Sequence, residues 1–407
     1  MRLAYFHETP AHFEIDGAVT LESAALVDFM IGVLAASGSE SYLLVPRRDD
    51  PGPARVEVPE GVEVIGLELP SLPRSITDFF RQLLGIGAYI RSASRIARLF
   101  RKSDAAIVTS YSTLNTMIAV LWRLFGTGPL VFIVRGDRIK TVRSSKRPWL
   151  RKTLLLTRLK VYRWWMRRLI SRRKAWAWFQ GEENLRETAD AIGSGKDHLL
   201  LLNALLDDDL IERTKDREHC LDRQDVIFVG RMVNEKGIHD LLDAVELLNA
   251  DGVSIRVCMV GTGPDQDTFT ERVRSSSAAD SFQIIGAVHD REEVIQRIAA
   301  SGMLVLPSYA EGLPRVSLEA MAVGTPTILS KVGGIPHAFE DGIETTLIDA
   351  GDARMLADAV HANLTSDSES QSRLTKAAAL KAETMSFKAR RDWAIENLMQ
   401  ARTEARR

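Results

Sequence analysis

Residues 303–346 read MLVLPSYAEGLPRVSLEAMAVGTPTILSKVGGIPHAFEDGIETT. Met303 to Leu306 is an apolar run of strand length, and Pro307 to Leu313 has the composition of a loop at its carboxyl end. Pro314 suits the first turn of a helix, because its missing N–H would be unpaired there anyway. Val316, Leu318, Met321 and Ala322 carry that helix onward, and Gly324 to Pro326 stops it. Strand, loop and helix in this order form the repeating unit of a parallel α/β sheet, whose ligands bind at the carboxyl ends of the strands. The free N–H groups of the helix start favour an anion.

Two carboxylates flank the junction, Glu311 in the loop and Glu319 within the helix. Counted from Pro314, Glu319 lies roughly 7.5 Å along the axis at about 1.5 Å per residue. A carboxylate only accepts hydrogen bonds, so beside an anion-binding helix start its natural partners are hydroxyls: a ribose diol for Glu319 and a sugar hydroxyl for Glu311. The pair alone is also what chance gives in a chain with 26% charged residues. The surrounding residues decide between the two readings. Glu311-Gly312-Leu313-Pro314 followed by Leu318-Glu319-Ala320-Met321-Ala322-Val323-Gly324-Thr325-Pro326 resembles the E-x7-E segment of retaining glycosyltransferases of family 4, and the likeness continues into Gly333-Gly334-Ile335-Pro336. The chain departs from that pattern at His337, where a Glu is common, and at Glu344-Thr345-Thr346, where a Gly-containing turn is usual.

A second motif lies upstream. Asp225-Val226-Ile227-Phe228-Val229 is an apolar strand, Gly230-Arg231 follows it, and Lys236-Gly237 opens a helix. This resembles the GR…KG motif of the same family, whose Arg and Lys hold the donor diphosphate. Arg can fork two phosphate oxygens and Lys supplies a compact charge. Arg256 to Val260 reads as the next strand, with Gly261-Thr262-Gly263-Pro264 as a turn after it. The segment Phe282 to Gly286 with Ala287-Val288-His289 resembles the one whose backbone lines the base pocket, which gives Val288 a donor contact.

Composition sets the outer bounds. The chain has 407 residues, 45% of them hydrophobic, which suits two globular domains. A net charge of −1 gives no polyanion partner on average. Cys220 and Cys258 sit without metal-ligand spacing, as two reduced structural thiols. The opening MRLAYFHETP has no long apolar core or cleavage site, and no window approaches the ~18 apolar residues of a spanning helix. The expectation is a cytoplasmic protein.

In the first half, Leu3 to Phe6 reads as a strand, His7 to Thr20 as a long loop, Leu21 to Ala36 as an amphipathic helix and Tyr42 to Val45 as a strand. By resemblance the first loop carries glycines that approach the donor diphosphate, and here Gly17 stands in that place. Ala105 to Thr109 and Leu130 to Val134 are further strands. Arg135 and Asp137, after the second of these, either contact the donor sugar or a charged acceptor, or pair with each other. Asp207-Asp208-Asp209 reads as an acidic helix start rather than a metal motif.

Two stretches are strongly basic. Residues 74–102 hold Asp78 as their only acid, and residues 138–174 hold no acid at all, with Trp149, Trp164 and Trp165 inside and Trp176 and Trp178 just beyond. Basic helices with aromatic residues suit an anionic bilayer, and a solvated basic face with core tryptophans is the competing reading. No nucleic-acid-binding motif accompanies the charge.

The resemblance implies the GT-B fold: two Rossmann-like domains facing a central cleft, with a C-terminal helix returning to the first. The expected domains are 1–205 for the acceptor, 206–385 for the nucleotide sugar, and the helix 386–407. It further implies metal-independent transfer of a hexosyl group, with retention, from a UDP- or GDP-linked donor. Glu311, Arg231 and Lys236 take the catalytic roles, and Glu319, Gly312, Leu313 and Pro314 hold the donor. No cofactor is called for. An acceptor that is a lipid-linked saccharide at the inner face of the plasma membrane would suit the basic stretches and a part in cell-envelope polysaccharide or glycolipid assembly. A nucleotide-sugar 2-epimerase and a nucleotide-sugar-binding partner protein without catalysis are the alternatives.

Overall fold

Short apolar runs of the first half pair side by side, as strands buried on both faces must. The computed structural model describes residues 1–6, 12–13, 19–21, 25–46, 54–67, 86–109, 113–135, 153, 156–157, 160–161, 164, 175–180, 197–199, 206–214 and 225–406. The chain divides into two units: Met1–Gln180 with Asn184–Leu202 and Arg391–Arg407, and Asn203–Arg390 with Gly181–Glu183.

In the first unit the elements run β1 (Leu3–Phe6), β2 (His12–Phe13), β3 (Val19–Leu21), α1 (Ala25–Ala36), β4 (Ser41–Pro46), β5 (Ala54–Val56), β6 (Val62–Leu67), α2 (Ile86–Lys102), β7 (Ala105–Thr109), α3 (Thr113–Phe125), β8 (Leu130–Arg135), β9 (Ala175–Gln180) and β10 (Asp197–Leu199). Among the described residues, seven strands form a parallel sheet in the order β10-β9-β8-β7-β1-β4-β6. Strand order reverses between β1 and β7, the doubly wound arrangement. The residues Phe6, Leu44, Ile65, Phe100, Val108, Trp122 and Phe132 belong to one buried cluster.

Two expectations need correction here. The region read as loop, His7 to Thr20, contains β2 and most of β3, which with β5 make a small antiparallel sheet. The helix read as Leu21 to Ala36 begins at Ala25, and Leu21 is a strand residue facing Ala54. The partner strand lies more than thirty residues along the chain, so nothing near Leu21 announces it. Gly17, Asp137, Trp149, Trp165 and Cys220 lie outside the described residues, as do residues 74–85 and most of 138–174.

In the second unit α4 (Asp208–Thr214) precedes β11 (Asp225–Val229), a 3₁₀ turn at Asn234–Lys236 and α5 (Ile238–Ala250). There follow β12 (Arg256–Val260), α6 (Gln266–Arg274), β13 (Phe282–Gly286), α7 (Arg291–Ala300), β14 (Met303–Leu306), α8 (Arg315–Ala322), β15 (Thr327–Ser330), α9 (Ile335–Ala338), β16 (Thr346–Ile348), α10 (Ala353–Thr365) and α11 (Ser368–Glu383). The six parallel strands lie in the order β13-β12-β11-β14-β15-β16. β11 and β14 are neighbours at the point where strand order reverses, and the two sequence motifs follow these two strands. The likeness read from sequence therefore falls at the switch point.

The final helix, α12 (Phe387–Arg406), belongs to the first unit from Arg391 onward. The fully buried Trp178 donates Nε1–H to Asn397 Oδ1 at 2.8 Å, and Trp393 packs on the same indole. Arg402 pairs with Asp104 at 2.6 Å. A buried acceptor stripped of its donor costs about 1–3 kcal/mol, so the Trp178–Asn397 bond fixes where this helix lies on its unit. The helix returns to the first unit as the sequence pattern implies.

Trp176 and Trp178 are core residues of β9, which settles them as packing rather than bilayer-facing aromatics. α2 buries Ile96 and Phe100 and leaves Arg95, Arg98 and Arg101 outside, with Arg95 3.9 Å from Glu63 and Arg101 over the Phe125 ring. Trp164 and Val161 are exposed. Among the described residues no helix is long and apolar enough to cross a membrane.

Candidate functional site

The loop after β11 is tied to its neighbours by backbone bonds: Gly230 N–H reaches Val260 O at 3.0 Å, and Met232 N–H reaches Thr262 O at 3.0 Å. This sets Arg231 at the carboxyl end of the sheet with its side chain exposed and no ion-pair partner among the described residues. Lys236 then ends the 3₁₀ turn, and Gly237 follows with φ +66. A Cβ on Gly237 would lie 2.0 Å from Pro307 O, so only glycine allows this loop to lie against the end of β14. Tyr309 N–H donates to Glu235 O at 2.8 Å and closes the contact.

That contact brings the two motifs together. Lys236 Nζ pairs with Glu311 Oε1, and Ser308 Oγ donates to the same oxygen at 2.9 Å. The Glu311 side chain is only 10% exposed and that of Lys236 is 25% exposed, so the pair is sheltered yet reachable. The neighbouring Asp240 carboxylate, as an acceptor for the Tyr309 phenol, together with burial raises that group above the usual tyrosine range.

The Glu311 loop is braced from its other side. Gly333 has φ +58, and a Cβ there would fall 1.6 Å from Glu311 O. Gly334 N–H donates to Gly312 O at 2.8 Å. By contrast a Cβ on Gly312 would meet nothing within 4 Å, so that backbone faces open space. Leu313 is buried and anchors the loop before Pro314, which caps α8 in an extended conformation and offers no side-chain cap to its N–H groups. Ser317 bonds back to Pro314 O, which leaves the N–H groups of Arg315 and Val316 at an uncapped helix start. Expected as a first-turn residue, Pro314 is the cap itself, one position earlier.

Glu319 is buried one helical turn further on. Sequence reading gave it a hydroxyl partner; the structure also shows it held by two arginines. Arg291 donates Nε–H and Nη2–H to Oε1 at 3.0 and 2.9 Å, and Arg315 Nε lies 3.2 Å from that oxygen. Both arginines also contact Asp207 Oδ2, Arg315 at 3.4 Å. Asp208 accepts from Lys388 N–H at 2.9 Å and Asp209 pairs with Arg213 at 2.9 Å, so each aspartate of the acidic triplet has its own cation or N–H partner at a helix start. Among the described residues no group of three His, Cys, Asp or Glu side chains is arranged to hold a metal ion.

The structure thus brings together Lys236, Glu311, Gly312, Leu313 and Pro314, with Arg231 on the adjoining loop and Glu319 within the helix. Val288 is half-buried in the loop after β13. Arg135 ends β8 in the first unit; its side chain, like Asp137 and Gly17, lies outside the described residues. Sequence reading missed Ser308, Arg315, Arg291, Asp207 and the bracing role of Gly333. The spacing of Arg315 to Glu319, four apart in one helix, was a usable signal. Arg291 and Asp207 come from distant elements and left none.

Residues 212–381 match the family model described as "Glycosyl transferases group 1". The chain is 34% identical over 140 residues to TuaC of Bacillus subtilis, named as a teichuronic acid biosynthesis glycosyltransferase, covering 34% of this chain and 33% of that one. It is 36% identical over 147 residues to the D-inositol 3-phosphate glycosyltransferase of Corynebacterium diphtheriae, covering 34% of each. The matched stretches span about a third of the length of these curated relatives. Solved structures align over the full length: HepE of Anabaena in complex with UDP (TM-score 0.58, 14% identity, 98% and 100% covered) and sucrose-phosphate synthase of Thermosynechococcus elongatus (TM-score 0.57, 17% identity, 98% of each). The chain has the GT-B fold, and its second unit carries the sequence pattern of the group 1 glycosyl transferases.

Proposed function

We propose that this protein is a retaining glycosyltransferase that moves a hexosyl group from a nucleoside-diphosphate sugar to an acceptor hydroxyl. The observation that carries the reading is the convergence, at the switch point of the second sheet, of Lys236, Glu311, the exposed Arg231 and the uncapped start of α8. Two cations and free backbone N–H groups suit a diphosphate, and a sheltered carboxylate beside them suits a sugar hydroxyl. The similarity to group 1 glycosyl transferases and the UDP found in HepE support the choice of donor.

In this reading the bond from the anomeric carbon to the diphosphate breaks as the acceptor oxygen bonds to the same face of that carbon. The acceptor proton passes to the departing phosphate oxygen. Negative charge grows on the diphosphate, and Arg231, Lys236 and the N–H groups of Arg315 and Val316 stabilise it without reorganising. The open backbone at Gly312 lets the phosphates approach closely. Glu311 orients the sugar while Lys236, paired with it, reaches the phosphate; Glu319 takes the ribose, and Val288 lies beside the base. For the first unit the resemblance implies Gly17 near the donor diphosphate, and Arg135 and Asp137 as contacts either of the donor sugar or of a charged acceptor, or as a local ion pair.

A thermal-shift panel of UDP, GDP, ADP and dTDP tests the donor site. A nucleotide at ~100 times its dissociation constant stabilises by about 2.7 kcal/mol, and Arg231→Ala and Glu319→Ala should each lose most of that shift. No shift with any nucleotide would overturn the reading.

We further assign the acceptor to the lipid-linked saccharides of envelope polysaccharide or glycolipid assembly, met at an anionic membrane. The segregated basic stretches and the exposed Trp164 and Val161 support this. Flotation with vesicles should recover the protein with anionic lipid at low salt. Equal recovery with neutral vesicles would refute the electrostatic contact.

A further inference from the structure

The carboxylate assigned to the donor's ribose is already gripped on one side. Arg291 donates two N–H groups to Glu319 Oε1, at 3.0 and 2.9 Å, and Arg315 Nε stands 3.2 Å from the same atom. None of these contacts goes to Oε2. An ionised carboxylate offers roughly four acceptor sites over its two oxygens, so this loading fills one oxygen and leaves the other for a hydroxyl. A guanidinium that gives two donors to one oxygen holds that oxygen more firmly than a single contact would.

The grip has an outer anchor. Arg291 Nη1 and Arg315 Nη2 both contact Asp207 Oδ2, and Asp207 is 60% exposed where Glu319 is 8% exposed. The arginines therefore run from a surface carboxylate to a sheltered one. Two guanidinium groups and two carboxylates balance in charge across this cluster. Asp207 is itself held by the backbone around it, since Leu206 exchanges bonds with Met385 and Phe387 at 3.1 and 3.0 Å.

We propose that Arg291 is a positioning residue that aims Glu319 Oε2 at the ribose diol of the donor, and that Asp207 is the anchor that keeps Arg291 in place. The proposal rests on the reading that Glu319 meets the ribose. It makes the preference for ribose over a sugar without the diol depend on a residue that touches no part of the donor. Only the discrimination should suffer when Arg291 is lost, because the diphosphate contacts lie on other residues.

The test is calorimetric titration with whichever of UDP, GDP and ADP the protein binds best, alongside its 2′,3′-dideoxy counterpart, on wild type, Arg291→Met and Asp207→Asn. A hydrogen bond to a charged group sets the expected wild-type preference for the ribonucleotide at about 10- to 100-fold. Arg291→Met should bring that ratio below about threefold with little change in affinity for the dideoxy form, and Asp207→Asn should fall between. A structural role would weaken both ligands together and keep the ratio, and that outcome overturns the proposal alone. Wild type that binds both forms equally removes the ribose from Glu319 and overturns it too, while the donor site stands. Wild type that binds neither overturns the functional reading itself.

Discussion

Lys236→Met is expected to lower turnover of the nucleotide sugar about 10²- to 10³-fold, the usual loss when one preorganised charge stabiliser is removed. Lys236 serves two groups in the proposed site: it holds Glu311 Oε1 and, by the same reading, neutralises charge on the departing diphosphate. Methionine keeps the length of the side chain and removes both. Glu311 would retain only the Ser308 hydroxyl on that oxygen, and a sheltered polar group left short of partners costs about 1–3 kcal/mol. The second unit should therefore melt a few degrees lower, since about 1 kcal/mol shifts a domain of this size by about 2–4 °C. Lys236→Arg restores the charge and should recover stability more than turnover, because the planar fork cannot take the place of a point charge at this distance. Donor hydrolysis and thermal melts on the two variants check the result. Turnover within threefold of wild type for a folded Lys236→Met protein would remove Lys236 from the mechanism.

Gly333→Ala should be nearly as damaging, although residue 333 carries no chemistry. Its φ of +58 costs a non-glycine residue about 1–3 kcal/mol, and the added methyl would sit 1.6 Å from Glu311 O. Backbone cannot rotate away as a side-chain tip can, so the Glu311 loop must move. A misplacement of about 1 Å in a reacting group is enough to lose about 10²-fold in rate. Gly342→Ala is the control: φ there is +76, but a Cβ would meet nothing within 4 Å. Both variants should lose stability to the left-handed backbone, and only Gly333→Ala should lose donor turnover. Equal turnover in the two would mean that the 333–334 turn does not set the position of Glu311.

The antiparallel sheet of the first unit marks where local reading fails. Val19–Leu21 faces Ala54–Val56 across more than thirty residues, and a three-residue strand carries too few side chains to show a period of two. The parallel strands were far easier. LAYF, AAIVT and MLVL sit where the apolar runs placed them, because strands covered on both faces must be apolar nearly throughout; RVCMV and FQIIG also fall where read, although FQIIG is an edge strand with no fully buried residue. The acidic triplet at 207–209 shows both sides. Asp208 and Asp209 lie in the first turn of α4, as composition suggested, whereas the two arginines on Asp207 arrive from α7 and α8.

By itself the sequence determined the apolar parallel strands, the order of the two motifs and the place of each at a strand's carboxyl end. Those follow from hydrophobic period and from the conformational limits of proline and glycine, which act over a few residues. Tertiary structure alone decided that Lys236 shelters with Glu311, that the Gly333 turn braces the same loop, and that Arg291 and Asp207 hold Glu319. These are meetings of side chains and backbone from separate strand–helix units. Their geometry depends on how the sheet orders its strands, with β11 beside β14, and no local pattern of residues records that order.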